Sequence, residues 1–375
     1  MRDTIPVIEN GNETGKQGSA GAPGETTWRE IQQQPALWPT TVERVAEADS
    51  RLQLGVRLKD ARVVLTGAGT SAYAANAVSA GWPGSSAVPS TDLLLDTKRF
   101  IEGADVLFSI GRSGNSPESM AVVDRVHRLR PEIWHLAVTC NPEGGLATSP
   151  LVTAILLDPR TNDQSLVMTS SFSNLLLAGL CVARPATMKA VTADAAKAAQ
   201  SSIGGISEMM KGLADRTEDR VVYLASPPLV GWAQEGALKI LEMTGGRYAA
   251  LAETYLGLRH GPMSVVGPST PVVCLLSNDS IVRNYELDLV RELREKKIGY
   301  LVGICRKDDA QASKLFHAVI PPLAPQAPDS ARAPFEVVGL QLLGYHLCLR
   351  AGLNPDNPSP SGVINRVVQG IRIYN

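Results

Sequence analysis

Apolar positions along the chain follow two periods. From Trp28 they recur at helical spacing through Ile31, Leu37, Trp38, Val42, Val45 and Leu52. Beyond this stretch, short β-branched runs alternate with longer amphipathic segments. The runs at 62–66, 106–110, 133–138, 152–157, 221–225, 272–277, 300–305 and 318–320 read as strands. Near-continuous apolar strands separated by helices predict an α/β fold with parallel sheets covered on both faces. The pattern also repeats. The strand, small-residue turn and helix at 63–82 recur at 221–241, those at 105–129 recur at 271–295, and those at 133–147 recur near 298–314. A repeat this long signals a duplicated α/β domain, because solenoid periods run ~20–50 residues. Residues 1–27, rich in Gly, Asn, Glu and Thr, read as a flexible tail. The halves are expected at 28–200 and 201–355, joined through a helical stretch at 190–219, with a second tail at 356–375.

Composition narrows the possibilities. Hydrophobic residues make up 44% of the 375 and charged ones 19%, which supports a large core and excludes a mostly disordered chain. Lys and Arg total 36 against 37 Asp and Glu. No charge excess points to nucleic acid or an acidic membrane, so an anionic ligand must be held by local geometry. The five cysteines are scattered without a C-x-x-C, and the five histidines include no H-x-x-x-H pair; neither a disulfide framework nor a metal site is expected. No apolar run reaches the ~18 residues of a membrane span, and no signal pattern opens the chain. The expectation is a soluble protein of the reducing cytoplasm.

Two loops could cradle an anion. Strand 62–66 runs through Gly67, Ala68, Gly69, Thr70 and Ser71 into a helix, and glycine there lets the backbone approach an oxyanion at the helix start. Gly67, Gly69 and Ala72 also fit a minimal dinucleotide pattern, but the following segment, 81–86, reads as a loop without the acidic residue that pattern requires. No nucleotide or other cofactor is therefore expected. The second loop, Arg112, Ser113, Gly114, Asn115 and Ser116, precedes Pro117 at a first helical position. Its hydroxyls, amide and guanidinium suit a phosphate monoester, and an ordinary N-capped turn would look the same. A second Ser/Gly loop at a neighbouring strand end favours a ligand.

Acid–base candidates lie in the second half. Glu235, Lys239 and Glu242 fall at i, i+4 and i+7, on one face of an otherwise apolar helix. The stripe is either a salt-bridge ladder on a solvated edge or a general base held beside a cation in a cleft. Downstream, Arg259, His260, Gly261 and Pro262 form a turn that presents a histidine.

Together these segments resemble the sugar isomerase (SIS) family, in the two-domain form shared with the isomerase half of glucosamine-6-phosphate synthase. Glu-Gly-Ala-Leu-Lys at 235–239 with Glu242, and Arg-His-Gly-Pro at 259–262, look like its catalytic helix and loop; Gly69-Thr70-Ser71 and 112–116 look like its phosphate loops. Segments 163–172, 357–362 and 365–370 resemble the AgaS subgroup of galactosamine-6-phosphate deaminase/isomerases, historically labelled tagatose-6-phosphate ketose/aldose isomerases. The resemblance implies two tandem SIS domains, each a flavodoxin- or Rossmann-like three-layer sandwich. The first would carry the phosphate loops, the second the catalytic helix and histidine loop, and the C-terminal tail would close the site. It implies that Gly69, Thr70, Ser71, Arg112, Ser113, Asn115 and Ser116 bind phosphate, with Thr169, Ser170 and Ser361 near the sugar. Glu242 would move a proton between C1 and C2, Lys239 would act near C2, Glu235 would orient Lys239, and His260 would assist ring opening from the partner subunit of a homodimer or a dimer of dimers. The implied substrate is an amino-sugar 6-phosphate, most simply galactosamine 6-phosphate. A non-catalytic sugar-phosphate sensor and a plain ketose/aldose isomerase stay open as alternatives. A glutamine-dependent synthase is disfavoured, since the chain opens Met1-Arg2-Asp3 without a cysteine nucleophile. Two departures stand out: Gly111 replaces a common serine, and the C-terminal lysine of the synthase has no counterpart beyond Asn365 and Arg366, an arginine being unsuited to Schiff-base formation.

Overall fold

The computed structural model describes residues 22–306, 308–368 and 370–374. Strands β1 (Val63–Thr66), β2 (Ser85–Ala87), β3 (Val106–Gly111), β4 (Trp134–Thr139) and β5 (Thr153–Leu156) form one sheet, in the order β2-β1-β3-β4-β5. Strands β6 (Arg220–Leu224), β7 (Ala249–Glu253), β8 (Pro271–Leu275), β9 (Tyr300–Ile304) and β10 (Ala318–Ile320) form a second, in the order β7-β6-β8-β9-β10. Every pairing is parallel. One strand order used twice is the structural form of the sequence repeat.

The longer helices are α1 (Glu25–Leu52), α2 (Thr70–Ala80), α3 (Pro117–Leu129), α4 (Ser170–Ala183), α5 (Pro185–Arg216), α6 (Val230–Thr244), α7 (Ser280–Glu295) and α8 (Asp329–Arg350). Helix α4 is buried along nearly its whole length. Its polar residues are satisfied by α1: Trp38 Nε1 donates to Ser173 Oγ (3.1 Å) and Thr41 Oγ1 to Asn174 Oδ1 (2.7 Å). A single apolar cluster runs from Leu65, Phe108 and Val138 of the first sheet to Tyr223, Val273 and Val302 of the second, through Ile203 and Met210 of α5 and Phe335 and Leu343 of α8. The halves therefore share a core.

The structure departs from the sequence reading at two strands and at the end of the expected N-terminal tail. Segment 81–86 is not all loop, since it leads into β2, and β7 is a further strand; both are edge strands that pair with one neighbour. The expected joint at 190–219 is helical, and residues 200 and 201 fall in the middle of the 32-residue helix α5. Residues 1–21 of the expected N-terminal tail lie outside the described residues, but Glu25–Thr27 are already helical, and Thr27 Oγ1 bonds to Ser165 Oγ and Asp356 Oδ1, each at 2.9 Å.

Candidate active site

The two polar loops end β1 and β3, which lie side by side in the first sheet, so both open at the same carboxyl edge. Between them lies a cleft of about 180 Å³. Gly69, Thr70, Ser71, Arg112, Ser113 and Ser116 line it, and Glu242 reaches it from the second half. Gly69 has φ 55°, ψ −129°, a combination that costs glycine little and would strain a side-chain-bearing residue. Neither Gly69 before α2 nor Ser116 before α3 caps its helix with a side chain, although the Ser71 N–H donates to the Ala68 carbonyl (3.1 Å). Ser116 Oγ instead donates to Glu118 (2.7 Å).

Helix α6 crosses α2 closely enough for contacts between the halves. Lys239 is fully buried, and its Nζ donates to Thr70 Oγ1 (3.1 Å) and Glu242 Oε2 (2.5 Å), with Glu235 Oε1 at 3.3 Å. Burial opposes the charge of Lys239, but Glu235 and Glu242 outweigh it and hold the ammonium above its ordinary range. Glu235 is buried completely, and that burial pushes its carboxyl up to about 8 against the pull of Lys239. Lys239 thus lies between Glu242 at 2.5 Å and a carboxyl that burial pushes toward its neutral form. The Glu242 side chain is 27% exposed and faces the cleft, a placement that leaves it free to exchange protons there.

The cleft has a roof from the C-terminus: Ile364, Asn365, Arg366, Val367 and Val368 line it. Arg112 engages this segment. Its Nη1 donates to the Leu166 carbonyl (3.1 Å) and its Nη2 to the Arg366 carbonyl (2.6 Å). Arg366 in turn donates through Nε to the Asp163 carbonyl (3.0 Å) and through Nη2 to Asn162 Oδ1 (2.7 Å).

Other residues singled out from the sequence lie elsewhere. Asn115 is exposed and accepts the Gly145 N–H through Oδ1 (2.7 Å), tying its loop to the next turn. Thr169 and Ser170 are wholly buried behind the wall at Met168, their amides donating to Asp163 (2.8 and 3.1 Å). Ser361 is exposed and outside the cleft lining, and His260 lies exposed on its turn, away from the cleft of its own chain. Leu166 and Met168, from the segment 163–172 that carried the resemblance, line the cleft, and Ser119 and Leu146 line it without having been singled out. Ser119 sits a helical turn beyond Ser116, a spacing that could have marked it.

The architecture matches a solved structure closely. The tagatose-6-phosphate ketose/aldose isomerase of Escherichia coli aligns with a TM-score of 0.83 at 31% identity, covering 96% of this chain and 100% of that one. The class is thus that of two-domain sugar isomerase (SIS) proteins. No protein-family model matches the chain. Among curated sequences, a candidate D-galactosamine-6-phosphate deaminase AgaS of Streptomyces coelicolor is 39% identical over 93% of this chain and 95% of its own length. The D-galactosamine-6-phosphate deaminase AgaS of Escherichia coli is 36% identical over 95% of this chain and 97% of its own length. The chain belongs to the AgaS family.

Proposed function

We propose that the cleft isomerises and deaminates an amino-sugar 6-phosphate, galactosamine 6-phosphate to tagatose 6-phosphate and ammonia. The observation that carries this reading is the half-buried Glu242, paired to a buried lysine and sharing one cleft with the hydroxyls of Ser71 and Ser113. The names of the AgaS relatives support the same substrate class. The phosphate binds at Gly69–Ser71, Ser113 and the starts of α2 and α3, where helix-end amides suit a dianion. Remote binding at the phosphate holds C1 and C2 of the opened sugar against the second half.

Glu242 removes the C2 proton, giving an enolamine, and returns a proton to C1. The resulting imine at C2 takes up water and loses ammonia. Lys239 stabilises charge developing near C2, Glu235 orients Lys239, and Ile364–Val368 shield the enolamine from solvent. His260 assists ring opening from the partner subunit of a homodimer. No helix among the described residues is long and apolar enough to cross a membrane, in keeping with a metabolic enzyme of the cytoplasm.

The test is ammonia release from galactosamine 6-phosphate without added cofactor. Glu242→Gln should lower kcat by about 10²-fold or more while leaving sugar-phosphate binding intact. Near-normal turnover in that variant refutes the assignment. Isomerisation with no ammonia would identify a plain ketose/aldose isomerase, and binding with no turnover a sensor.

A further inference from the structure

The second half repeats the topology of the first, so it has strand ends of its own where the first half has its cleft. Ser277, Asn278 and Asp279 follow β8 and lead into α7, the place that Arg112–Ser116 and α3 hold after β3. Here the polar groups of the turn face a carboxylate of the protein itself. Asp329, the first residue of α8, accepts the Asn278 N–H (2.9 Å), the Ser277 hydroxyl and Arg332 Nη1 (3.0 Å). Arg332 is 1% exposed, and its Nη1 also donates to the Leu276 carbonyl (2.7 Å). The helix start differs in the same sense. Ser116 leaves α3 uncapped, but Asp279 caps α7 by accepting the Ile281 and Val282 amides (2.9 and 3.0 Å). A cavity of about 710 Å³ opens beside Asp329, with Asn278, Asp279, Arg283 and Arg306 on its wall.

We infer that the second half retains an anion cradle, a duplicate of the phosphate loop in the first, and that Asp329 fills it as a resident anion. A backbone amide, a hydroxyl and a buried guanidinium converge on one carboxylate, and the oxygens of an inorganic phosphate would take the same three donors. The nearby cations are answered internally as well: Arg283 pairs with Asp309 (3.6 Å), Arg306 with Asp308 (2.6 Å), and Arg332 with Glu336 (3.6 Å) in addition to Asp329. With the carboxylate in place, each chain offers one phosphate cleft instead of two. The same contact ties the start of α8 to β8, and α8 packs against the catalytic helix α6 at Gly344, close to the Lys239 backbone.

The experiment counts inorganic phosphate bound per chain by calorimetry, in the wild type and in Asp329→Ser. The variant should bind one phosphate more than the wild type; equal numbers overturn the inference. A wild type that binds none beside a variant that binds one supports the cradle and counts against the phosphate cleft of the first half, so the two readings fail separately. If Asp329→Ser does not fold at any phosphate concentration, Asp329→Asn carries the test, since it keeps the volume and gives up the charge. Saturating phosphate should then raise its Tm by about 2 °C or more beyond the gain seen for the wild type, and an equal gain overturns the inference.

Discussion

A lysine buried to zero exposure between two carboxylates has to be stabilised by them, because removing an ammonium from water is costly unless it is paired and hydrogen-bonded. Two acids beside one cation cannot both ionise at equal cost, and their surroundings separate them. Glu242 is partly exposed and 2.5 Å from Lys239 Nζ, whereas Glu235, wholly buried, is pushed up by that burial from its ordinary 4.5 to about 8. Raising a carboxyl pKa on folding makes stability depend on pH in a fixed direction. The unfolded chain releases the proton near 4.5 and the folded chain holds it to about 8, so the stability contributed by protonated Glu235 declines across that interval and levels off above it. Glu235→Gln keeps the neutral shape and removes the titration. The Tm of this variant relative to wild type should therefore rise between pH 5 and pH 8 and stay constant beyond. A pH-independent difference in paired melting curves would contradict the assignment.

The contact between α2 and α6 brings the proposed phosphate loop and the proposed acid–base groups together. It depends on small residues: a Cβ built at Gly231 of α6 would stand 2.7 Å from the Ala77 Cβ and 3.2 Å from its Cα on α2. Asn76 Nδ2 donates to Gln234 Oε1 across the same crossing (2.8 Å), and Lys239 reaches Thr70 from one helix to the other. Gly231→Val should force the helices apart, costing about 1–3 kcal/mol of stability. It should lower kcat more than it raises KM, because the phosphate loop itself is unchanged; unaltered turnover in the folded variant would show that the crossing does not set the geometry. The sequence disclosed these elements unevenly. Val63–Thr66, Val106–Gly111 and Tyr300–Ile304 are runs of apolar residues buried on both faces, so their pattern alone marks them. Ser85–Ala87 and Ala249–Glu253 are edge strands in which Leu251 is the one large apolar residue, and they hold their place largely through backbone pairing to β1 and β6, which leaves little hydrophobic signature. The loops at 69–71 and 112–116 and the stripe at 235, 239 and 242 were legible because each is local in sequence. The Lys239–Thr70 bond and the grip of Arg112 on the Arg366 carbonyl join segments 169 and 254 residues apart, and only packing creates them.

Across the whole molecule, the cleft of one chain holds Glu242 but not His260, which stands exposed on the turn after β7. If the histidine completes the site of a partner subunit, Glu242→Gln and His260→Ala should each be inactive alone and complement each other when mixed. Random re-association would place one intact site in each mixed dimer, restoring about a quarter of wild-type activity. No recovery after subunit exchange would assign both residues to one chain or remove His260 from the reaction. The long helix α5 bears on the history of the duplication. Residue 200 falls midway along it, and its Ile203 and Met210 sit in the apolar cluster that also contains both sheets. A gene severed at that codon would yield two fragments, each with half a helix and a raw greasy flank exposed to water. Because that cluster draws on both halves, fragments 22–200 and 201–374 expressed separately should each aggregate, which light scattering of the two fragments would check.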